Sequence, residues 1–107
     1  MPEKLGSVSQ QATTAAYVSA LKLNVPTHIE RVIIHIKENN TNAIKYKLLG
    51  SVDDTVWEEV VSETVVAKNG SAKLATVTDP WPYLDLQVVD SVAATHGKAT
   101  VYAFGGS

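Results

Sequence analysis

The chain has 107 residues, and its 9 basic and 11 acidic side chains give a formal net charge of -2. This length is enough for one domain with a single hydrophobic core. The near balance of charge argues against a surface built to neutralise phosphates, so we expect neither nucleic acid nor membrane lipid as a partner. Cysteine is absent, which excludes disulfides and thiolate metal sites. Without a leader-like start or an apolar run near the roughly 20 residues that span a bilayer, the sequence predicts a soluble protein made in the cytoplasm.

The N-terminal segment, residues 1–12, is rich in small and polar side chains and has little to bury. Such a segment is predicted to be an arm that precedes the body of the domain, which we place at residues 13–107. Two interpretations stay open. The arm is either a flexible tail or a segment that becomes ordered against a neighbouring subunit.

The first half of the body contains two alternating stretches. From Thr14 onward, Tyr17, Leu21 and Leu23 share one face of a predicted strand, although AAYVSALKL also fits a short helix. Pro26 then breaks the run. Residues 29–37 form the next predicted strand, with β-branched side chains on its inner face, namely Val32, Ile34 and Ile36.

Residues 44–61 form the clearest unit of the chain. Ile44, Tyr46 and Leu48 alternate with lysines, which is the period-two pattern of a half-buried strand. Residues 50–55 then supply an acidic turn. A second predicted strand, residues 57–61, follows the turn and begins with Trp57, whose ring we expect to fold back over the end of the core.

The second half contains further short strands separated by turn signals. The segments 63–68, 72–77, 84–89 and 99–104 are predicted strands. Asn69-Gly70 and His96-Gly97 are predicted hairpin turns, and Asp79-Pro80 starts another turn. About eight strands without a convincing helix predict an all-β protein, a single antiparallel sandwich with jelly-roll-like topology.

The residues that could perform chemistry do not form a catalytic or metal-binding pattern. His28, His35 and His96 lack metal-ligand spacing, so no metal or other cofactor is expected. No Gly-x-Ser-x-Gly segment or similar nucleophile context is present, and a small hydrolase would need a nucleophile and base that the sequence does not offer. The acidic turn at Asp53-Asp54 could bind a cation or a sugar hydroxyl, but such turns are more often simply solvated.

The segment from Tyr46 to Val60 resembles the Gly-Ser-x-Asp-Gly-x-x-Trp hairpin of discoidin and galactose-binding-like jelly rolls. Asp54 stands where that family commonly has glycine, and Trp57 keeps the family's spacing. Residues 83–88 look like the later core strand of the same family. The resemblance implies a jelly-roll fold and, as an alternative function, a carbohydrate-binding module on a virion fibre or secreted protein. Its glycan contacts would be Asp53, Asp54, Trp57 and Trp81.

The chain as a whole resembles small β proteins encoded among the virion genes of tailed bacteriophages, on segments 42–57, 79–88 and 100–105 together with the polar arm. This resemblance implies a non-enzymatic capsid decoration (cement) protein on the capsid surface of the virion. It also implies a homotrimer that binds the major capsid protein. The candidate contacts with a subunit or with the capsid are two glutamines of the arm and the large apolar side chains at nominally outward positions: Gln10, Gln11, Ile33, Val89, Tyr102 and Phe104.

Overall fold

The computed structural model describes residues 3–92 and 95–106. These residues form eight strands in two four-stranded sheets, and all pairings within the sheets are antiparallel. The predicted all-β sandwich is therefore confirmed. The strands are β1 (Glu3–Ala12), β2 (Val18–Asn24), β3 (Arg31–Glu38), β4 (Ile44–Ser51), β5 (Glu58–Val66), β6 (Ala72–Val77), β7 (Tyr83–Asp90) and β8 (Lys98–Gly106).

The strand order is that of a jelly roll. The first sheet has the order β1-β8-β3-β6 and the second has the order β2-β7-β4-β5. Every connection except the one from β4 to β5 therefore passes from one sheet to the other. Two interleaved Greek keys of this kind define the jelly roll.

The core lies between the sheets and follows the period-two alternation of the sequence. Val32, Ile34 and Ile36 of β3 face it, as do Leu84, Leu86 and Val88 of β7. The predicted inner face of β4 is also confirmed, because Ile44, Tyr46 and Leu48 are at most 3% exposed. Strand β8 contributes small side chains to the same core, at Ala99, Val101 and Ala103.

Two of the predicted hairpins are wrong. Asn69 and Gly70 have the positive φ angles, 71° and 79°, that favour a tight turn. The turn nevertheless joins β5 of the second sheet to β6 of the first, so the flanking strands do not pair with each other. The His96-Gly97 turn likewise lies between β7 and β8, which belong to different sheets. A turn signal reports local backbone conformation, whereas strand pairing depends on where each strand buries its apolar face.

The region after the acidic turn also differs from the prediction. The two strands expected at 57–61 and 63–68 are one strand, β5, whose pairing with β4 is interrupted by irregularities around Leu48. Trp57 is only partly buried and is not among the side chains packed on the core. Trp81 packs there instead, over Gly50, where an added Cβ would lie 2.5 Å from the indole ring.

From Glu3, where the described residues begin, the N-terminal segment is part of the sandwich. Residues 3–12 form edge strand β1, which pairs with β8 of the same chain. This differs from the expected separate arm, and the apolar side chains Leu5 and Val8 that pack on the core explain the pairing. Gln10 is exposed with a positive φ of 53°, at an irregularity in the β1–β8 register, and Gln11 is partly buried. Their contact with a partner stays a prediction.

Candidate interaction surfaces

The outer face of the first sheet gathers the large apolar side chains that are not in the core. Phe104 lies opposite Ile33, and Tyr102 lies opposite His35. His35 in turn lies opposite Leu74 of β6. We call this surface the first outer face and define it by Ile33, His35, Leu74, Tyr102 and Phe104.

These side chains are accessible to a partner. Leu74 is 64% exposed, Tyr102 41% and Phe104 37%. Several exposed apolar side chains on one face of a small protein commonly mark an interaction site. The structure thus brings together three of the residues singled out in the sequence, Ile33, Tyr102 and Phe104.

Two residues differ from the expectation: Leu74 belongs to the first outer face without having been singled out, and Val89 was singled out but does not belong to it. Leu74 was not singled out, although the alternation within residues 72–77 assigns it to the face opposite Ala75, and only the pairing of β6 with β3 shows which neighbours it has. Val89 belongs to the second sheet, opposite Lys45, and is only 8% exposed. It therefore does not contribute to the first outer face.

The charged side chains at outward positions around the first outer face are basic. Lys4 lies opposite Phe104, Lys37 lies opposite Thr100, and Arg31 and Lys98 take outward positions at the ends of β3 and β8. All four side chains are exposed. Among the described residues, the outward positions of β1, β8, β3 and β6 hold no carboxylate, and none of these four cations forms an ion pair.

The tip of the β4–β5 hairpin has the opposite charge. We define the hairpin tip as residues 52–59, which contain four carboxylates and no basic side chain. Val52 and Val56 are 70% and 66% exposed within it. The surface is therefore acidic with two exposed apolar side chains.

Asp53 shapes this tip. Its Oδ1 accepts hydrogen bonds from the backbone N–H groups of Thr55 and Val56, both at 3.0 Å, and from the hydroxyl of Ser51 at 3.1 Å. These bonds, led by the one from Val56, hold the pKa of Asp53 well below its usual value. The carboxylate is ionised at neutral pH, and one of its oxygens is used by the turn itself.

Asp54 and Trp57 of this hairpin both contact the ammonium group of Lys22, which belongs to β2. Lys22 Nζ lies 2.8 Å from Asp54 Oδ1 and 5.3 Å from the centroid of the Trp57 ring. The hydrogen bond from Lys22 to Asp54 raises the pKa of the ammonium group. The contacts of Asp53, Asp54 and Trp57 with a glycan stay a prediction.

Trp81, the fourth predicted glycan contact, belongs to a cleft at one end of the sandwich. The cleft has a volume of about 180 Å³ and is lined mainly by apolar side chains and prolines, among them Val25, Pro26, Ile29 and Pro82. The indole Nε1 of Trp81 is buried and has no hydrogen-bond partner among the residues that the structure describes. The ring itself packs against the core, so it helps to close the core at this end of the sandwich.

The outer face of the second sheet is polar, and its charges are largely paired within the chain. The Tyr17 hydroxyl donates a hydrogen bond to Glu63, which also forms an ion pair with Lys45 at 3.3 Å. Burial and the Glu63 carboxylate raise the pKa of Tyr17 well above its usual value. Lys47 lies over the Tyr17 ring at 4.2 Å. This face therefore offers fewer free groups to a partner than the first outer face does.

One polar cluster joins residues that are distant in the sequence. Thr13 Oγ1 donates a hydrogen bond to Asp90 Oδ1 at 2.6 Å, and Asp90 Oδ2 lies 2.9 Å from His96 Nδ1. Thr13 Oγ1 also accepts a hydrogen bond from the N–H of Gly97 at 2.8 Å. The carboxylate bridges the hydroxyl and the imidazole, so the imidazole is not placed as a base for the hydroxyl. The cluster fastens the start of the body to the ends of β7 and β8.

The histidines do not meet at a common site. His28 contacts Glu3 at 3.0 Å, His35 lies on the first outer face, and His96 contacts Asp90. Within residues 3–92 and 95–106, no group of three or more metal-ligating side chains is close enough to hold an ion. In the same ranges, no helix is long and apolar enough to cross a bilayer.

Comparisons with known proteins give likeness of structure without likeness of sequence. No family model and no curated protein matches the chain. The PBSX exported protein XepA is similar with a TM-score of 0.67 and 14% identity, over 100% of this chain and 37% of XepA. The SPBc2 prophage-derived protein YomS is similar with a TM-score of 0.58 and 13% identity, over 100% of this chain and 96% of YomS. A chain of the disulfide-linked pili of Bacillus endospore appendages has a TM-score of 0.56 and 12% identity, over 98% of this chain and 86% of its own length.

At these identities the likeness is one of fold. This chain spans about a third of XepA but nearly the whole of YomS. The resemblance to small β-sandwich proteins of phages, expected from the sequence, is thus confirmed at the level of architecture, because the chain shares its β-sandwich fold with YomS.

Proposed function

We propose that the protein is a non-enzymatic structural protein of a phage virion, a capsid decoration (cement) protein. The observation that carries the proposal is the likeness of fold to the prophage-derived protein YomS over 100% of this chain and 96% of YomS. In this role the protein is made in the host cytoplasm and binds the major capsid protein on the outside of the shell as a homotrimer. A trimer binds several shell subunits at once, so contacts that are individually weak together give tight binding to the shell.

The first outer face supports the proposal. Its exposed apolar side chains, Leu74, Tyr102 and Phe104, lie on a rigid sheet and can be buried against a protein surface without rearrangement of the backbone.

The test is binding to shells assembled from the major capsid protein of the phage that encodes this chain. We expect the purified protein to sediment with the shells at a fixed stoichiometry and to raise the temperature at which the shells dissociate. Ile33→Asp should abolish binding, because it places a carboxylate in the middle of the first outer face. Val65→Asp is the matched control, since Val65 is 47% exposed on the second sheet. Shells that neither bind the protein nor gain stability would refute the proposal.

A second candidate function is that of a carbohydrate-binding module on a virion fibre or secreted protein. The partly buried Trp57 ring beside Asp54 on the hairpin favours it, since aromatic faces and carboxylates commonly form sugar sites. Binding of a glycan on an array by the full chain, lost in Trp57→Ala and kept in Ile33→Asp, would support this function in place of capsid binding.

A further inference from the structure

The first outer face and the hairpin tip are complementary in charge. The first carries four outward cations, Lys4, Arg31, Lys37 and Lys98, around an apolar centre. The second carries four carboxylates around the exposed Val52 and Val56. Each surface thus combines exposed apolar area with charges mainly of one sign, the exception being Lys22 beside Asp54 at the tip. Those signs are opposite.

The charges on these surfaces are incompletely neutralised within the chain. In the described part of the chain, the four cations of the first outer face have no ion-pair partner, and neither do Glu58 and Glu59 of the hairpin tip. Of the four carboxylates of the tip, Asp54 alone has an ion-pair partner within the described ranges, and that partner is Lys22. The two surfaces belong to opposite sheets, so they cannot pair with each other inside one chain.

We infer that copies of this chain associate head to tail, with the first outer face of one copy bound to the hairpin tip of the next. This contact places Arg31 and Lys37, at the two ends of β3, on either side of Glu58 and Glu59 of the neighbour and buries Val52 and Val56 against the apolar centre. Complementary potentials of this kind steer association and exclude wrong pairings. The inference deepens the proposed function and rests on it, because the role on the capsid explains why copies of the chain lie next to one another.

The charges also exclude the simplest alternative. A symmetric dimer through two first outer faces would bring four cations against four others, and like charges at an interface oppose association. A head-to-tail contact uses two different surfaces and therefore closes into a ring or continues as a chain. The proposed homotrimer is a ring with three such contacts.

The test is the mass of the purified full chain, measured by sedimentation velocity over a range of concentrations. The face variant is Arg31→Glu with Lys37→Glu, and the tip variant is Glu58→Lys with Glu59→Lys. Each alone places like charges at the contact, and we expect it to weaken self-association by about a hundredfold. The combined variant restores opposite charges, so it should regain the oligomer. The matched control, Lys68→Glu with Lys73→Glu, makes the same charge change as the face variant away from the outward positions and should keep the wild-type mass.

Several outcomes would overturn the inference. One is a wild-type protein that stays monomeric at its highest soluble concentration. Another is a face or tip variant that keeps the wild-type mass, and a third is a folded combined variant that stays monomeric. Binding of a single-stranded oligonucleotide by the first outer face of a monomer would assign its cations to nucleic acid instead. Shell binding is measured separately, so loss of the proposed function and loss of this contact are distinguishable.

Discussion

At the scale of single residues, the carboxylate of Glu38 is a buried polar group held by several hydrogen bonds. The side chain is 0% exposed and accepts hydrogen bonds from Thr41 N and Oγ1, both at 2.5 Å, and from Gly70 N at 3.1 Å. It thereby joins the turn after β3 to the Asn69-Gly70 turn. Burial raises the pKa of Glu38, but these bonds and one from the Asn40 backbone outweigh burial and hold the pKa below its usual value.

Glu38→Gln should lower the free energy of unfolding by about 1–3 kcal/mol at neutral pH. The amide cannot accept at both ends, so a buried N–H is left without a partner. Because the folded-state pKa is lowered, the stabilisation by the ionised group is present above the unfolded value of about 4.5 and is lost as the pH falls through the folded value. Urea unfolding of wild type and variant at neutral and acidic pH measures this difference.

The control for this prediction is Glu58→Gln, an exposed carboxylate, which should change the free energy of unfolding by less than about 0.5 kcal/mol. A difference between wild type and Glu38→Gln that grows on acidification would contradict the assignment of the charged form to the folded state.

Gly50 is fixed by the Trp81 ring. An added Cβ would lie 2.5 Å from Trp81 Cδ2 and 2.8 Å from Val60 Cγ2, closer than packed atoms approach. Gly50→Ala should therefore displace the indole, lower the unfolding free energy by about 1–3 kcal/mol and shift the tryptophan emission to the red. Gly106→Ala is the control, since no atom lies within 4 Å of its added Cβ. An unchanged emission in Gly50→Ala would show that Trp81 is not packed there.

Asp54 occupies a backbone conformation that favours glycine, with a φ of 62°. This explains why glycine stands at the corresponding position of the hairpin family that the segment resembles. Asp54→Gly and Asp54→Ala both remove the ion pair with Lys22, so their difference isolates the backbone. We expect the glycine variant to be more stable by about 1 kcal/mol in urea unfolding. Equal stabilities would place the strain elsewhere in the turn.

At the scale of elements, β1 shows how a polar strand can be integral to the fold. It pairs with β8 along most of its length, and Leu5 and Val8 pack against the core. Deletion of residues 1–11 should therefore lower the unfolding free energy by several kcal/mol, since it exposes the edge of β8 and part of the core. Urea unfolding of the shortened chain tests this. The Leu5→Ala and Val8→Ala double variant separates the burial of side chains from the pairing of the strand, and full stability of the shortened chain would support a dispensable arm.

The faces of the strands were predictable from the sequence, but their partners were not. Alternation identified the inner residues of β3, β4 and β7, because burial on one face imposes period two. The first predicted strand was β2, since β1 has too few apolar side chains to show the period. The predicted number of eight agrees with the structure because β1 was missed while β5 was counted twice.

The candidate surfaces show the same division. The outward positions of Ile33, Tyr102 and Phe104 follow from alternation, yet their proximity depends on β8 lying beside β3, from which it is separated by about sixty residues of chain. Val89 has the same local pattern but lies on the other sheet. The sequence also could not tell whether Trp57 or Trp81 packs on the core, because only the approach of Trp81 to Gly50 decides this.

At the scale of the whole molecule, the fold depends on its last strand. In the first sheet β8 lies between β1 and β3, so it supplies the only path of backbone hydrogen bonds from β1 to the rest of that sheet among the described residues. It also places Ala99, Val101 and Ala103 in the core. A chain that ends at Gly97 loses all of these contacts.

We therefore expect residues 1–97 to remain unfolded, with no cooperative transition in urea and no dispersed amide spectrum. The full chain should refold in milliseconds to seconds, as is typical of all-β domains whose pairings join distant segments. A peptide of residues 98–107 added in excess should rescue the shortened chain, because the missing strand inserts between two exposed edges. A shortened chain that folds by itself would contradict this expectation, because it would show that β3 and β6 can complete the sandwich without β8.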